Sequence, residues 1–447
     1  MSSSPLVSHT ALEQPLAWFD GESISVSRFL ADVAQVAAML PSGDHVLNVC
    51  RDRYRFAVGL AAAITADKVS LLPPTHTLEM VQRLKAFAPD VFCLHDNPDC
   101  DIDLPRVLFP VLNGKTIGAT RIPTIEDDRQ VAIVFTSGST GAPVPHPKTW
   151  GKLVLNVRAQ AECIGLKQNS GCAVIGTVPP QHMYGFESTV LLPLQSGNVL
   201  CGIQPFYPAD IVSALENNPV PRMLVSTPLH LRLLLEAGLN LPSVERVLSA
   251  TSPLSLQLAG QVESAFGVPL LEIYGSTETG QIAIRRTTAG ESWQLFPEVR
   301  LVERDERFWA EGGHIEQPVS LNDKIELLPD ARFLLHGRLQ DLVNIAGKRN
   351  SLASLNHHLT AIPGVLDGAF FMPDDASHEQ VTRLAACVVA PGLSAHDVLD
   401  ALRQCIDPVF LPRPLLFVDE LPRNSTGKLP REALKQLIHS LTRSETA

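Results

Sequence analysis

Positive charge in excess, the mark of a chain that binds polyanions wholesale, is missing from this sequence. Its 447 residues carry 36 Lys and Arg against 47 Asp and Glu, a net charge of −11. No overall field therefore draws it to nucleic acid or anionic lipid, and any phosphate must be held by a local constellation. Long apolar runs are lacking too. No stretch approaches the ~20 residues of a membrane helix, and the run from Phe56 to Ala66 is short and alanine-rich. The start, Met1-Ser2-Ser3-Ser4-Pro5, has neither the basic nor the apolar region of a secretion signal. Eight cysteines are scattered without a C-x-x-C pair, which disfavours a zinc ribbon or disulfide frame and fits free thiols in a reducing compartment. With 45% hydrophobic and 19% charged residues the chain reads as a folded cytoplasmic protein with no membrane insertion and no nucleic-acid partner.

What is present is an alternation of strand-length apolar runs with helical patterns. Cys172 to Thr177, Val199 to Ile203, Arg222 to Ser226 and Arg246 to Ala250 read as short buried strands. Pro208 to Asn217, Pro228 to Ala237 and Leu256 to Phe266 carry apolar residues at three-and-four spacing. Such βα alternation predicts an α/β fold with largely parallel sheets and ligands at the carboxyl ends of the strands. From Glu298 to Leu335 the texture becomes that of a small β subdomain. Beyond it, helices over Ser351 to Ile362, Ala395 to Cys405 and Pro430 to Thr442, with strands over Val365 to Met372 and Leu384 to Val389, predict an α+β module. The expected organisation is a large N-terminal domain, residues 1–339, and a small mobile C-terminal domain, residues 340–447.

Four segments carry chemistry. Val131 to Phe135 reads as a strand opening into Thr136-Ser137-Gly138-Ser139-Thr140-Gly141-Ala142-Pro143. Glycines let backbone N–H groups approach a polyanion, and hydroxyls add neutral donors. No Gly-Lys-Ser/Thr follows, so this is not the loop of P-loop kinases and ATPases. The second segment, Glu272-Ile273-Tyr274-Gly275-Ser276-Thr277-Glu278, offers an aromatic face for a base, a hydroxyl for phosphate and a hard oxygen for Mg²⁺. Next, Asp323 and the Gly337-Arg338 step supply a carboxylate and a guanidinium able to meet two ribose hydroxyls. Last, Pro422 to Leu429 is a glycine-flexed loop bearing Lys428. Each segment alone also admits a plain structural role: a surface loop, a strand turn, an ion pair or a solvated lysine.

Together, in this order, the four resemble the motif set of the AMP-forming acyl and aryl acid ligases, which include acyl-CoA synthetases, coumarate:CoA ligase, peptide-synthetase adenylation domains and firefly luciferase. The resemblance covers residues 20 to 440. It implies an enzyme that joins a carboxylate to AMP with release of pyrophosphate and then passes the acyl group to a thiol, either CoA or a phosphopantetheinyl carrier protein. It further implies that Thr136, Ser137, Gly138, Ser139, Thr140 and Gly141 wrap the outer phosphates of ATP, with Ser276 and Thr277 at the α-phosphate. Glu278 would hold Mg²⁺, Tyr274 and Gly275 would lie by adenine, and Asp323 and Arg338 would take ribose. Arg349 would approach the phosphates, and Lys428 would bridge the α-phosphate and the incoming carboxylate. His182, Tyr184, Gly185 and Ser188 match the acyl pocket, His182 also gating the thiol. Ser249, Ala250, Thr251 and Ser252 replace a glycine-rich run beside adenine and the acyl group, narrowing that wall.

Three departures stand out. Val144 follows Pro143 where relatives have lysine, leaving Lys148 as a candidate substitute. Gln340 occupies the hinge position usually held by Asp or Lys, and the front half is trimmed. Tyr184 and the narrowed wall favour a hydroxybenzoate or hydroxycinnamate. A medium-chain or 3-hydroxy fatty acid is the alternative, and a silent ligand-binding scaffold is the alternative of another class. Arg383, Arg403 and Arg413 are the candidate basic patch for a carrier protein.

Overall fold

The computed structural model describes residues 2–112, 121–137, 143–305, 307–338, 342–345, 348–372, 384–424 and 429–444. After a short strand, Ser3–Pro5, that pairs with Thr124–Glu126, come β1 (Pro15–Phe19) and β2 (Glu22–Ser25), then β3 (His45–Asn48), α1 (Arg53–Thr65), β4 (Val69–Leu72), β5 (Phe92–His95) and β6 (Arg106–Leu108). A hairpin follows, β7 (Gln130–Ser137) and β8 (Pro143–Thr149), and runs into α2 (Trp150–Cys163). The next units are β9 (Ala173–Gly176), β10 (Val199–Cys201), α3 (Pro208–Asn217), β11 (Arg222–Ser226), α4 (Pro228–Glu236), β12 (Arg246–Ser249) and α5 (Leu256–Phe266). Then come β13 (Leu270–Ser276), β14 (Gly280–Arg285), β15 (Trp293–Leu295), β16 (Asp323–Leu328) and β17 (Arg332–Arg338). The expected α/β class is what the structure has, with helices α3 and α5 at the expected bounds.

Two sheets result. One has the order β8-β7-β4-β3-β5-β6, parallel except for the β7–β8 hairpin at its edge. The other has the order β16-β17-β15-β14-β13-β12-β11-β9-β10-β1-β2, with a parallel centre from β13 to β1. Helix α1 lies between the sheets: Phe56, Ala57 and Leu60 share a core with Leu72 and Val134 of the first and Val174, Met223 and Leu248 of the second. That is why the Phe56 to Ala66 run is apolar on every side, since eleven of the thirteen helix residues are buried. The far face of the large sheet packs Ile175, Leu224 and Val247 against α3, α4 and α5. A three-stranded antiparallel sheet over Val299–Arg304, Arg307–Gly312 and Val319–Ser320 is the expected small β element.

Residues from Val343 onward form a core of their own around Leu355, Leu359, Phe370, Val388, Val398 and Leu402. It is built from helices at Leu352–Thr360 and Ala395–Cys405 and a sheet of Asp367–Phe371, Ala385–Val389 and Leu415–Phe417. Gln340 lies outside the described residues.

One side chain ties the layers together. Arg53, the first residue of α1, is wholly buried. Its Nη2 donates to the carbonyls of Gly176 and Val178, each at 2.9 Å, and Nη1 donates to Ile203 at 2.7 Å. Burial pulls its pKa down to about 10, so the charge survives at neutral pH. All eight cysteines are free thiols, and among the described residues no helix is long and apolar enough to cross a membrane.

Arg53→Leu strands three carbonyls at once and should cost on the order of 3 kcal/mol or more, read as a lowered urea midpoint. Acid should also unfold the protein through two buried histidines. Burial holds His9 and His314 near a pKa of about 4, below the ordinary 6.5. Their stability contribution is full above pH 6.5 and is lost as pH falls toward 4, at about 2 kcal/mol each by pH 5. A urea midpoint unchanged between pH 7 and 5 would contradict this.

Candidate active site

The carboxyl ends of β7 and β13 face one another, and the chemistry-bearing residues gather between them. β7 runs two residues further than expected, so Thr136 and Ser137 end a strand rather than begin a loop. Gly138, Ser139, Thr140 and Gly141 lie outside the described residues. On the returning strand β8, Val144 stands opposite Thr136, His146 opposite Val134 and Lys148 opposite Ala132. Pro143, Pro145 and Pro147 occupy alternate positions of this strand, which suits only a sheet edge, because proline has no N–H for a second neighbour.

The side chains of Val144, His146 and Lys148 share one face, which meets the turn between β13 and β14. Lys148 Nζ donates to the Glu278 carbonyl at 3.2 Å. The amine is buried, which lowers its pKa, while the carboxylates of Glu187, Glu316 and Glu278 oppose the shift. His146 Nε2 lies 2.9 Å from the Thr136 hydroxyl and 3.7 Å from Glu278 Oε1. The turn is braced internally, with the Ser276 and Thr279 hydroxyls 3.1 Å apart and the Ser276 N–H donating to Thr279 Oγ1 at 3.1 Å. Glycine is required at both ends of the turn. A Cβ on Gly275 would sit 2.3 Å from the Gly280 carbonyl. One on Gly280, at φ +70°, would come within 2.3 Å of Asn156 Nδ2. Ser276 is left exposed, with Thr277 and Glu278 half-exposed at the rim.

Tyr274 follows the same strand inward. Its hydroxyl donates to Asp323 Oδ2 at 2.7 Å, and its ring rests 5.6 Å from Trp293 and 5.8 Å from Phe333. Asp323 pairs across the sheet with Arg338, so the backbone brings together the two residues expected at ribose. The Arg338 and Arg349 side chains, and the whole of Lys428, lie outside what is described; the Arg349 backbone pairs with Asn344 in a hairpin.

On the other side lies a short helix, Met183–Gly185, that continues into a π-helical stretch, Phe186–Leu191. Such widened turns recur at functional sites. His182 heads the helix, its carbonyl accepting from the Phe186 N–H at 2.7 Å. Gly185 presses on the chain so closely that a Cβ would lie 2.0 Å from the Pro179 carbonyl. The Tyr184 hydroxyl is buried without a hydrogen-bond partner among the described residues, and burial pushes its pKa up. Ser188 does not open to a pocket: it is fully buried, its oxygen accepting from Gln160 and Gln281, each at 2.9 Å. Ala250 packs in the same core as Tyr184. Ser249, one residue earlier on the pleated strand, faces the opposite side beside Ser226, its buried hydroxyl without a partner among the described residues. Thr251 takes φ +81°, a conformation that strains a β-branched residue and that a glycine-rich run would adopt freely. Ser252 is half-buried beside it.

Three residues went unread at the sequence level: His146, Glu187 and Asn156. Glu187, on the π-helical stretch, is wholly buried, and burial lifts its pKa to about 8 against the opposing pull of Lys148, Gln281 and Asn156. Asn156 Nδ2 donates to it. The signal for His146 was the proline alternation, which marks an edge strand and puts His146 and Lys148 on one face. Lys148 lies five positions along the strand from Pro143, about 17 Å, with its amine on the Glu278 carbonyl.

The AMP-binding enzyme family model matches residues 6–328. The chain belongs to that family. It resembles a 4-coumarate–CoA ligase of Rhodobacter capsulatus, with 33% identity over 234 residues, 52% of this chain and 58% of that enzyme. A mitochondrial malonate–CoA ligase of Mus musculus is 26% identical over 415 residues, 76% of this chain and 71% of that one. The o-succinylbenzoate CoA synthetase of Bacillus subtilis, solved with its acyl-adenylate intermediate, superposes with a TM-score of 0.82 at 18% identity over 97% of this chain and 99% of that one. The shared architecture shows that this chain has the fold of that synthetase.

Lys148→Met leaves the Glu278 carbonyl without its donor and removes the cation nearest Glu187, and should cost about 3 kcal/mol. Adding Glu187→Gln should recover part of that loss in a double-mutant cycle; strictly additive effects would show that the two side chains do not act as a pair.

Proposed function

We propose that this chain is an AMP-forming acid–thiol ligase that adenylates a small aromatic carboxylic acid and transfers its acyl group to CoA. The observation that carries the reading is the convergence of Thr136, the Thr277–Glu278 rim and the Tyr274–Asp323 pair at the ends of two facing strands. A nucleotide lying along this line would set its base by Tyr274 and its ribose by Asp323 and Arg338. Its phosphates would meet Thr277 and the 136–141 segment, with Arg349 nearby. Because the Tyr274 hydroxyl already fills one lone pair of Asp323, the carboxylate is held in one orientation with acceptor sites left for ribose hydroxyls.

The half-exposed carboxylate of Glu278 is the hard oxygen donor that Mg²⁺ takes. Mg²⁺ is commonly held by one or two carboxylates with substrate phosphates and water, so this donor set fits it. The ion supplies charge neutralisation at the phosphates.

In the first half-reaction a carboxylate oxygen of the acid attacks the α-phosphorus and pyrophosphate leaves. In the second, a thiol sulfur attacks the acyl carbon and AMP leaves. Both steps move negative charge, so the chain contributes position and donors rather than a nucleophile. Lys428 is assigned to the α-phosphate and the incoming carboxylate, and His182 to the mouth of the acid pocket.

The aromatic assignment rests on Tyr184. A phenolic hydroxyl buried without a partner pays a standing desolvation cost, which a hydroxyl on the substrate ring would relieve. A dicarboxylate such as malonate needs a cation at the pocket base, and the described pocket residues, His182, Tyr184, Gly185 and Ala250, bring no lysine or arginine. A phosphopantetheinyl carrier protein is the second acceptor to test. Of its candidate contacts, Arg403 is engaged with Asp400 on its own helix, and Arg383 is outside the described residues.

ATP–pyrophosphate exchange across hydroxybenzoates, hydroxycinnamates and C4–C12 fatty acids tests the first half-reaction. The expected result is a preference for hydroxylated aromatic acids, lost in Tyr184→Phe by about tenfold in kcat/KM. Lys428→Ala should cut exchange by roughly 10²–10³. Preference for aliphatic chains, or exchange unaffected by Lys428→Ala, would overturn the reading.

A further inference from the structure

A triphosphate brings about four negative charges to the rim described above, yet the described part of the β7–β8 hairpin offers it little cationic help at the tip. Val144, directly opposite Thr136, is apolar and 42% exposed. Lys148 is spent deeper in, on the Glu278 carbonyl. Between them His146 stands with one nitrogen, Nε2, facing both the Thr136 hydroxyl and the Glu278 carboxylate.

The chemistry of those two neighbours sets the roles. An ionised carboxylate only accepts, so the nitrogen facing it is compatible only as N–H. Nε2–H then donates to the lone pair of Thr136 Oγ1, which turns the threonine's own proton outward, away from the imidazole. Without the ring, that hydroxyl is free to rotate and to spend its proton on backbone or carboxylate oxygens.

We propose that His146 is a positioning residue for the outer phosphates of ATP. It fixes the Thr136 hydroxyl as a donor. The inference rests on the nucleotide reading given above and deepens it by assigning a residue from the returning strand rather than from the glycine-hydroxyl segment. Because Thr136 is placed with the outer phosphates and Tyr274 and Asp323 with the nucleoside, His146 should discriminate between nucleotides by phosphate number.

The test is isothermal titration of ATP and AMP, each with Mg²⁺ and without acid or thiol, into the parent, His146→Leu, His146→Gln and Thr136→Val. His146→Leu should weaken ATP binding by about tenfold or more, the worth of an oriented hydrogen bond to a charged group, while AMP binding stays within about twofold. His146→Gln, whose amide can donate in the same place, should recover most of the loss. The Thr136→Val, His146→Leu double variant should bind ATP no more weakly than the weaker single variant, because the histidine acts through the threonine. Equal losses for ATP and AMP, or no loss for either, overturn the proposal. Failure of the parent itself to bind ATP would instead overturn the nucleotide reading beneath it.

Discussion

A single buried guanidinium organises this molecule. Arg53 sits at the start of a helix sandwiched between two sheets and reaches carbonyls at the ends of the β9 and β10 strands. Those carbonyls belong to the segments that lead into the His182–Tyr184 helix and into α3. The arginine thus ties the segment before the Met183–Gly185 helix to α1, which packs against the first sheet. Lysine cannot replace it, because only a planar fork serves several carbonyls at different bearings at once. Its Nε remains without a partner, a small desolvation cost accepted for the reach of the two terminal nitrogens.

A second polar thread links the turn between β13 and β14 to the helical stretch Met183–Leu191 beneath the surface. Lys148 holds the Glu278 carbonyl from below, Glu187 lies close enough to feel the lysine's charge, and Asn156 ties Glu187 to α2 while Gln281 ties it to the strand after the turn. Glu187 and Tyr184 belong to the same helical stretch. Gly280 lets the turn lie directly on Asn156 and Glu187, leaving no room for even a methyl group. The turn and the helical stretch are therefore packed directly on one another, and displacing either disturbs a buried charge.

Much of this was legible in the residues. Helices α3, α5 and Ala395–Cys405 carry their apolar spacing and capping residues openly, and their bounds follow directly. The pairing of Asp323 with Arg338 was readable as chemistry before the strand register brought them side by side. Other features were opaque for physical reasons. Strand β8, with three prolines in seven residues, carried no strand signal, because proline's preference for strand edges becomes visible only when the partner strand is known. The π-helical stretch has no composition of its own. Ser188 and Ser249 looked like pocket residues because a short hydroxyl gives no hint of which way a pleat or a helix turns it. Glu187 was invisible, since a lone glutamate in an apolar run is ordinarily solvated, and only the converging Lys148, Asn156 and Gln281 make its burial tolerable.

The proline-studded strand β8 has a consequence beyond the site it serves. A free sheet border normally invites another chain to add on by main-chain pairing. Here three amides in succession are absent from the outward side, so an incoming strand would find acceptors but no regular partners for its own carbonyls. The β7–β8 hairpin is thereby kept from being capped by a neighbouring copy of itself, even in a crowded cell.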